Sequence, residues 1–142
     1  RDPAQDGERS AVLRRVGDKQ LLGVMYKVPA LAHADNAPVQ VLATLLKQTP
    51  GGRLYRGLVE TKLAASVQGF TFDLREPGTL MAWAELRKEQ SIDSARVAML
   101  RVLDEARTAP FTAEEVERAK NELVSGIEQL LDNSEQVGYS LT

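Results

Sequence analysis

The sequence predicts an α+β fold with two layers, a mainly antiparallel sheet covered by paired helices. Three observations support this class. Strand-length apolar runs come in pairs, helical patterns also come in pairs, and their order is ββααββαα rather than a βαβ alternation. The 142 residues, 43% of them hydrophobic and 27% charged, are enough for one domain with its own core.

The first pair of strands is predicted from two short apolar runs, residues 11–16 and 20–28. Gly17, Asp18 and Lys19 separate them, a spacing and composition typical of a β-hairpin. The second run hardly alternates between apolar and polar residues. We therefore expect a strand that is covered on both faces.

Two helices are predicted next. Asp35 can cap the first, whose apolar residues recur at helical spacing until Pro50 and the two glycines that follow it. A second, shorter helix is expected over residues 53–62, with Leu54 and Leu58 on its buried face.

The second pair of strands follows from an alternating pattern over residues 65–74. Pro77 and Gly78 make the turn into a strand at 80–86, which predicts an antiparallel hairpin. We expect Phe70 and Phe72 to face the helices, because the alternation requires one buried face.

The last two helices carry the clearest local patterns. Ser91 begins a helix that ends before Pro110, and Thr112 with Glu115 three residues later forms a capping box for the next. Asn133 interrupts that helix, and residues 135–142 open another. We expect residues 1–10 to be a polar lead-in from an upstream domain, and residues 11–142 to be a single non-catalytic domain that is truncated at its C-terminus.

Composition excludes several classes of function. The formal net charge is −2 and no long block of like charges occurs, so neither nucleic acid nor an anionic membrane is an expected partner. Cysteine is absent, which removes disulfides, thiolate metal sites and thiol nucleophiles. We find no apolar run long enough to span a membrane and no signal peptide in this sequence. Homo-oligomerisation stays open.

No catalytic, cofactor-binding or metal-binding residue is predicted. His33 is the single histidine, so a zinc site with two imidazoles cannot form within the chain, and a surface loop is its expected place. No G-x-S-x-G motif supports a Ser-His-Asp triad. Residues 52–57 have the glycine spacing of a phosphate loop, but Leu58 and Val59 replace the required Lys and Ser or Thr.

Three further groups have an interpretation that needs no ligand. Arg53 and Arg56 could form a small anion site or pair with acidic neighbours, although solvated charge is the simpler interpretation. The helix dipole explains the acidic residues of the capping segment without a metal: Glu114, Glu115 and Glu117. Trp83 is expected in core or inter-domain packing rather than in ligand stacking.

Several segments resemble bacterial peptidases of the pitrilysin and insulinase family, to which the mitochondrial processing peptidase is similar. They are residues 5–9 (Q-D-G-E-R), 13–18 (L-R-R-V-G-D) and, most sharply, 52–60 (G-R-L-Y-R-G-L-V-E) followed by 62–67 (K-L-A-A-S-V). Residues 111–120 resemble the family's long helix. The resemblance covers nearly the whole chain.

The resemblance implies an enzyme of four related α+β domains that close as two halves around a chamber. Only one domain carries the inverted H-x-x-E-H zinc motif, which this chain lacks. The chain thus resembles the second, non-catalytic domain of a half, which walls the chamber and helps hold peptide substrate while a zinc-carrying domain hydrolyses it. The implied partners are the other domains of the same protein and the peptide, and the implied compartment is periplasmic or secreted.

Two departures from the family pattern concern assisting residues. Where such domains carry an arginine and a tyrosine that stabilise the oxyanion, alignment places Val59 and Ala65 here. The long glycine-rich loop of the processing peptidase's non-catalytic subunit is also replaced by the much shorter 50–52. A non-proteolytic scaffold of the same family is the alternative, and a small enzyme that uses His33 remains open.

Overall fold

In the computed structural model, which describes residues 7–72 and 74–132, the chain forms a three-stranded antiparallel sheet with helices packed on one face and the last helix packed against the first. The strands are β1 (Lys19–Val28), β2 (Ser66–Phe72) and β3 (Gly78–Arg87). The helices are α1 (Asn36–Lys47), α2 (Ile92–Thr108) and α3 (Ala113–Asp132), and a π-helical segment (Tyr55–Glu60) lies between α1 and β2. This is the predicted α+β class. No helix in the described ranges has the length and apolar character to cross a membrane.

The central strand of the sheet is β3, and the strand order is β1-β3-β2 with both pairs antiparallel. The predicted hairpin at Pro77 and Gly78 is confirmed, with Phe70 paired to Met81 and Phe72 to Thr79. Residues that pair directly across an antiparallel ladder point to the same face. The register therefore decides which side chains meet the helices.

The helices cover the face of β3 formed by its even-numbered residues, which are all buried: Leu80, Ala82, Ala84 and Leu86. Val67 and Gly69 of β2 share this face. Small residues let α1 approach the sheet closely, since a Cβ at Gly69 would lie 3.4 Å from the Cβ of Lys47. The main core joins this face to the π-helical segment and α2 through Leu54, Leu58, Met99, Val102 and Leu103.

Leu54, just before the π-helical segment, and Leu58, within it, both point into the core. The N–H groups of Leu63 and Ala64 donate to the carbonyl of Leu58 at 2.8 and 2.9 Å, and the first of these bonds is the i to i+5 bond of a π-turn. Lys62 reverses the chain with φ of 62°. The helix predicted over 53–62 is therefore present in a shorter, wider form, with Leu54 and Leu58 buried as expected.

Both predicted starts of the last two helices are confirmed. The Ser91 hydroxyl accepts from the N–H of Ser94 at 3.2 Å. The capping box closes in both directions, with Thr112 N donating to Glu115 Oε2 at 2.8 Å and Glu115 N to Thr112 Oγ1 at 3.2 Å. In contrast, Asp35 precedes α1 without a side-chain hydrogen bond to it, so its predicted capping role is wrong.

The predicted first hairpin is also wrong. Residues 11–16 form no strand, and Val12, Leu13 and Val16 are exposed. A strand needs a ladder partner, and β1 pairs along its whole length with β3 instead. The first predicted ββ unit is therefore a single strand within the described residues.

Two predictions about the faces of the sheet are corrected. Val67 and Gly69, not Phe70 and Phe72, face the helices, because the small residues permit closer packing than two phenyl rings would. The strand β1 is covered on one face only, as antiparallel sheets often are. The helix predicted to open at 135–142 lies outside the described residues.

Candidate interaction surface

The single histidine lies on the surface, as predicted. The N–H of Asp35 donates to His33 Nδ1 at 3.1 Å, and the Asp35 carboxylate lies 3.6 Å from the same nitrogen. No described hydrogen bond joins His33 to a serine, so the structure does not assemble the triad that the residue order allowed. The local pair in the loop before α1 accounts for this side chain.

Two acidic residues of the capping segment have local partners. Glu115 closes the capping box, and Glu117 pairs with Lys120 at 2.7 Å. Across residues 7–72 and 74–132, no group of three or more His, Asp or Glu side chains could hold a metal ion. Their positions agree with the interpretation that the first turn of a helix attracts carboxylates.

Arg53 fastens the π-helical region to the loop between α2 and α3. Its guanidinium donates to the carbonyls of Ala109 at 2.8 Å and Pro110 at 3.0 Å, and lies 3.8 Å from the centre of the Phe111 ring. Arg56 pairs with Glu115 at 3.6 Å. The two arginines are therefore structural, and the interpretation of Arg53 as solvated charge is wrong.

The same contacts tune one carboxyl group. The hydrogen bond from the backbone N–H of Thr112 lowers the pKa of Glu115, and the Thr112 hydroxyl and the charges of Arg53 and Arg56 act in the same direction, against partial desolvation. This shift stabilises a helix start. It does not prepare a general acid.

A second shift belongs to Tyr26, on the helix-facing side of β1. Burial raises the pKa of its hydroxyl, and the negative charges of Asp104 and Glu8 raise it further. Glu8 also pairs with Arg96 of α2 at 3.2 Å. These contacts hold the segment before β1 near α2 and suggest packing rather than chemistry.

The two positions aligned with the family's assisting residues carry no reactive group. Val59 is half-buried against the core, and Ala65 is exposed where its N–H donates to the Glu85 carbonyl at 2.8 Å. Neither side chain can donate a hydrogen bond to an oxyanion.

A hollow of about 310 Å³ opens beyond the end of α1. The Gln48 amide donates across it to Glu122 Oε2 at 2.8 Å. Its polar groups therefore bind each other, and it brings no reactive groups together. The lining residues are Gln48, Thr49, Pro50, Gly51, Arg118 and Glu122.

The most distinctive surface is the side of the sheet that the helices leave uncovered, which we call the open sheet face. Four large apolar side chains on it are substantially exposed: Leu21 at 65%, Met25 at 55%, Phe72 at 49% and Trp83 at 38%. Half-buried Phe70 and Met81 lie between them. Contiguous apolar surface of this kind marks an interaction site more often than singly scattered residues do.

Aromatic rings order the centre of the open sheet face. Phe70 meets Phe72 edge to face at 4.9 Å between ring centroids, and meets Trp83 in the same manner at 5.6 Å. Edge-to-face pairs of this geometry are favourable and restrain the rings. The surface is thus a pre-ordered platform.

A notch interrupts this platform at Gly23. On β1, Gly23 lies between Leu21 and Met25 and pairs with Trp83 across the ladder. A Cβ added at Gly23 would meet nothing within 4 Å. The missing side chain therefore leaves open space between two exposed apolar side chains, across the ladder from Trp83.

Charged residues edge the open sheet face. Lys19, Lys27 and Arg87 are its described cations and Glu85 its described carboxylate, with Lys19 paired to Glu85 at 2.7 Å. Positive charge is in excess here, although the whole chain has a formal net charge of −2. The surface therefore differs in sign from the average of the chain.

Sequence reasoning found Trp83 but not this surface. The tryptophan is not in the core, so the first of its two predicted roles is wrong and inter-domain packing stays a prediction. The small residues on the opposite face of the hairpin, Gly69, Ala82 and Ala84, could have indicated which face the helices cover. Helices pack closest on the side of a strand that carries such residues.

Comparison with known proteins identifies the family. The sequence profile of the peptidase M16 inactive domain matches residues 1–123. The chain belongs to this family. It is an inactive peptidase domain, in agreement with the predicted resemblance and with the predicted lack of enzyme activity of its own.

Three relatives of this M16 inactive domain come from bacteria. The chain is 38% identical to the inactive peptidase domain of a proposed zinc protease from Bordetella parapertussis, with a TM-score of 0.81 over 92% of this chain and 72% of that one. A proposed zinc protease from Bordetella pertussis is 36% identical, with a TM-score of 0.78 over 92% and 71%. The zinc protease PqqE of Helicobacter pylori is 25% identical over 97% of this chain, which spans 32% of that protein's length.

Proposed function

We propose that this domain is a zinc-free wall of a two-half zinc metallopeptidase and helps hold peptide substrate while a separate domain hydrolyses it. The observation that carries the proposal is the open sheet face. An inactive domain that exposes Leu21, Met25 and Trp83 on one side of its sheet has a surface suited to an apolar partner.

The proposed catalytic zinc belongs to another domain of the parent protein. The chain corresponds to about a third of the Helicobacter zinc protease, which supports further domains in the parent. The proposed partners are those other domains of the same polypeptide. The proposed compartment is the bacterial periplasm or the outside of the cell. The isolated chain is expected to bind no stoichiometric zinc, because one histidine and no cysteine supply too few ordered ligands.

Photocrosslinking in the full-length parent tests the proposal. Benzoylphenylalanine replaces Met25 on the open sheet face or, as the matched control, the exposed Val97 on α2. We expect irradiation with a substrate peptide and an inactivated zinc site to join the peptide to position 25 and not to position 97. Zinc-dependent peptide hydrolysis should be present in the unmodified parent.

Other outcomes separate the alternatives. A parent that neither binds zinc nor hydrolyses peptides would support the non-proteolytic scaffold. Crosslinks from position 25 to other parts of the parent, with none to the peptide, would make the open sheet face a domain interface and contradict the substrate-holding role.

A further inference from the structure

We infer that the open sheet face binds one extended peptide segment, whose bulky apolar side chain enters the notch at Gly23 and whose flanking residues are acidic. This inference rests on the proposed function and specifies the class of peptide. It follows from three features of the described residues: the shape of the notch, the aromatic platform and the sign of the surrounding charge.

The notch provides the place for a side chain. Leu21 and Met25 rise on either side of Gly23, and the indole of Trp83 lies across the ladder. An aliphatic or aromatic side chain placed there would bury these three exposed groups together. Burial of apolar surface in a preformed recess is the main source of affinity at such a site.

The platform needs little rearrangement before binding. Phe70 contacts both Phe72 and Trp83 edge to face, so the rings already restrain one another. A ligand that lies along the strands would therefore order few additional side chains, and pre-ordering of this kind lowers the entropic cost of binding.

Charge selects the flanks of the peptide. Lys19 and Arg87 stand at one end of the face and Lys27 near the other, while Glu85, the one carboxylate among the described residues of the face, already pairs with Lys19. Acidic residues on both sides of the apolar anchor would meet positive charge. A second copy of the chain fits less well, because an isologous contact would bring two cationic rims together.

Trp83, the only tryptophan of the chain, reports binding directly. The 142-residue chain is titrated with a capped peptide that has Leu and Phe at its centre and Glu at both ends, and the indole emission is followed. We expect a saturable blue shift. The same peptide with Lys at both ends should bind about tenfold more weakly at low salt, and this difference should shrink as salt is added.

Gly23→Val tests the notch without disturbing the domain. A β-branched residue suits a strand, and the Cβ site is open, so thermal unfolding should be unchanged while affinity falls by about tenfold or more. Gly17→Val, where a Cβ also meets nothing within 4 Å, is the control that should keep full affinity.

Three results would overturn the inference: no binding of either peptide, equal affinity for both, or full affinity in Gly23→Val. Emission that shifts with protein concentration in the absence of peptide, together with a dimer in sedimentation, would assign the face to a second copy. If neutral peptides crosslink to position 25 in the parent while the titration shows no preference for acidic peptides, that result would support the proposed function and contradict this inference.

Discussion

At the scale of single residues, one close contact that fixes the fold is between the π-helical segment and α2. A Cβ on Gly57 would lie 2.6 Å from Cγ2 of Val102, a buried and stiff β-branched side chain. Gly57 therefore sets how near the segment can come to the helix. This spacing also keeps Leu54 and Leu58 fully buried.

Gly57→Ala should lower the free energy of unfolding by roughly 1–3 kcal/mol, because the added methyl group overpacks the core. Val102→Ala alone should also destabilise the protein, because it leaves a cavity. The double variant should lose less stability than the sum of the losses in the two single variants. Chemical denaturation of the three variants measures this coupling.

Gly126→Ala is the matched control. Gly126 is in α3, where a Cβ meets nothing within 4 Å, so alanine should stabilise the protein by about 0.5–1 kcal/mol through its helix propensity. Purely additive costs at Gly57 and Val102 would show that they do not share the contact.

At the scale of secondary structure, the start of α3 depends on one ionised carboxylate. Because the folded-state pKa of Glu115 lies below its ordinary value of 4.5, this group contributes stability above that pH and loses it as pH falls through the folded-state pKa. Glu115→Gln should therefore cost only about 0.3–1 kcal/mol near pH 7, because the Gln amide oxygen can still accept from the Thr112 N–H but carries no charge. The difference from the unmodified protein should shrink as the pH falls below 4.5.

Glu114→Gln separates the capping bond from the helix dipole. Glu114 is in the same first turn, and no hydrogen bond or ion pair is described for it. Urea unfolding at several pH values should show that Glu115→Gln loses more of the pH dependence of the free energy of unfolding than Glu114→Gln does. Equal behaviour of the two variants would assign the effect to the dipole alone.

Local patterns predicted the elements whose ends are fixed locally. The capping box at Thr112, the Ser91 start and the turn at Pro77 and Gly78 all depend on residues close in sequence, and all three are confirmed. The absence of strand at 11–16 could not be predicted in this way. It depends on which distant strand pairs with β1, and that is a property of the whole sheet.

The orientation of the hairpin failed for a related reason. Alternation shows that Phe70 and Phe72 share a face but does not say which face the helices take. The small side chains opposite them decided it. As a result, the sequence did not predict the surface on which the proposed function depends.

At the scale of the whole molecule, burial is one-sided. The helices α1 and α2 and the π-helical segment pack on one face of the sheet, α3 packs against α1, and the large apolar residues of the other face remain exposed. The proposed role in a peptidase uses the surface that the core of the domain leaves exposed. Its relatives in proposed zinc proteases place it in that context.

The strand order β1-β3-β2 also has a consequence for how the chain folds. The β2-β3 hairpin closes a short loop, whereas β1 must find β3 across α1 and the π-helical segment, at a larger cost in chain entropy. We expect the hairpin with α2 to form the folding nucleus and β1 to dock late. In stopped-flow experiments, Val67→Ala should mainly slow folding and Leu22→Ala should mainly speed unfolding, and the reverse pattern would place the nucleus at β1.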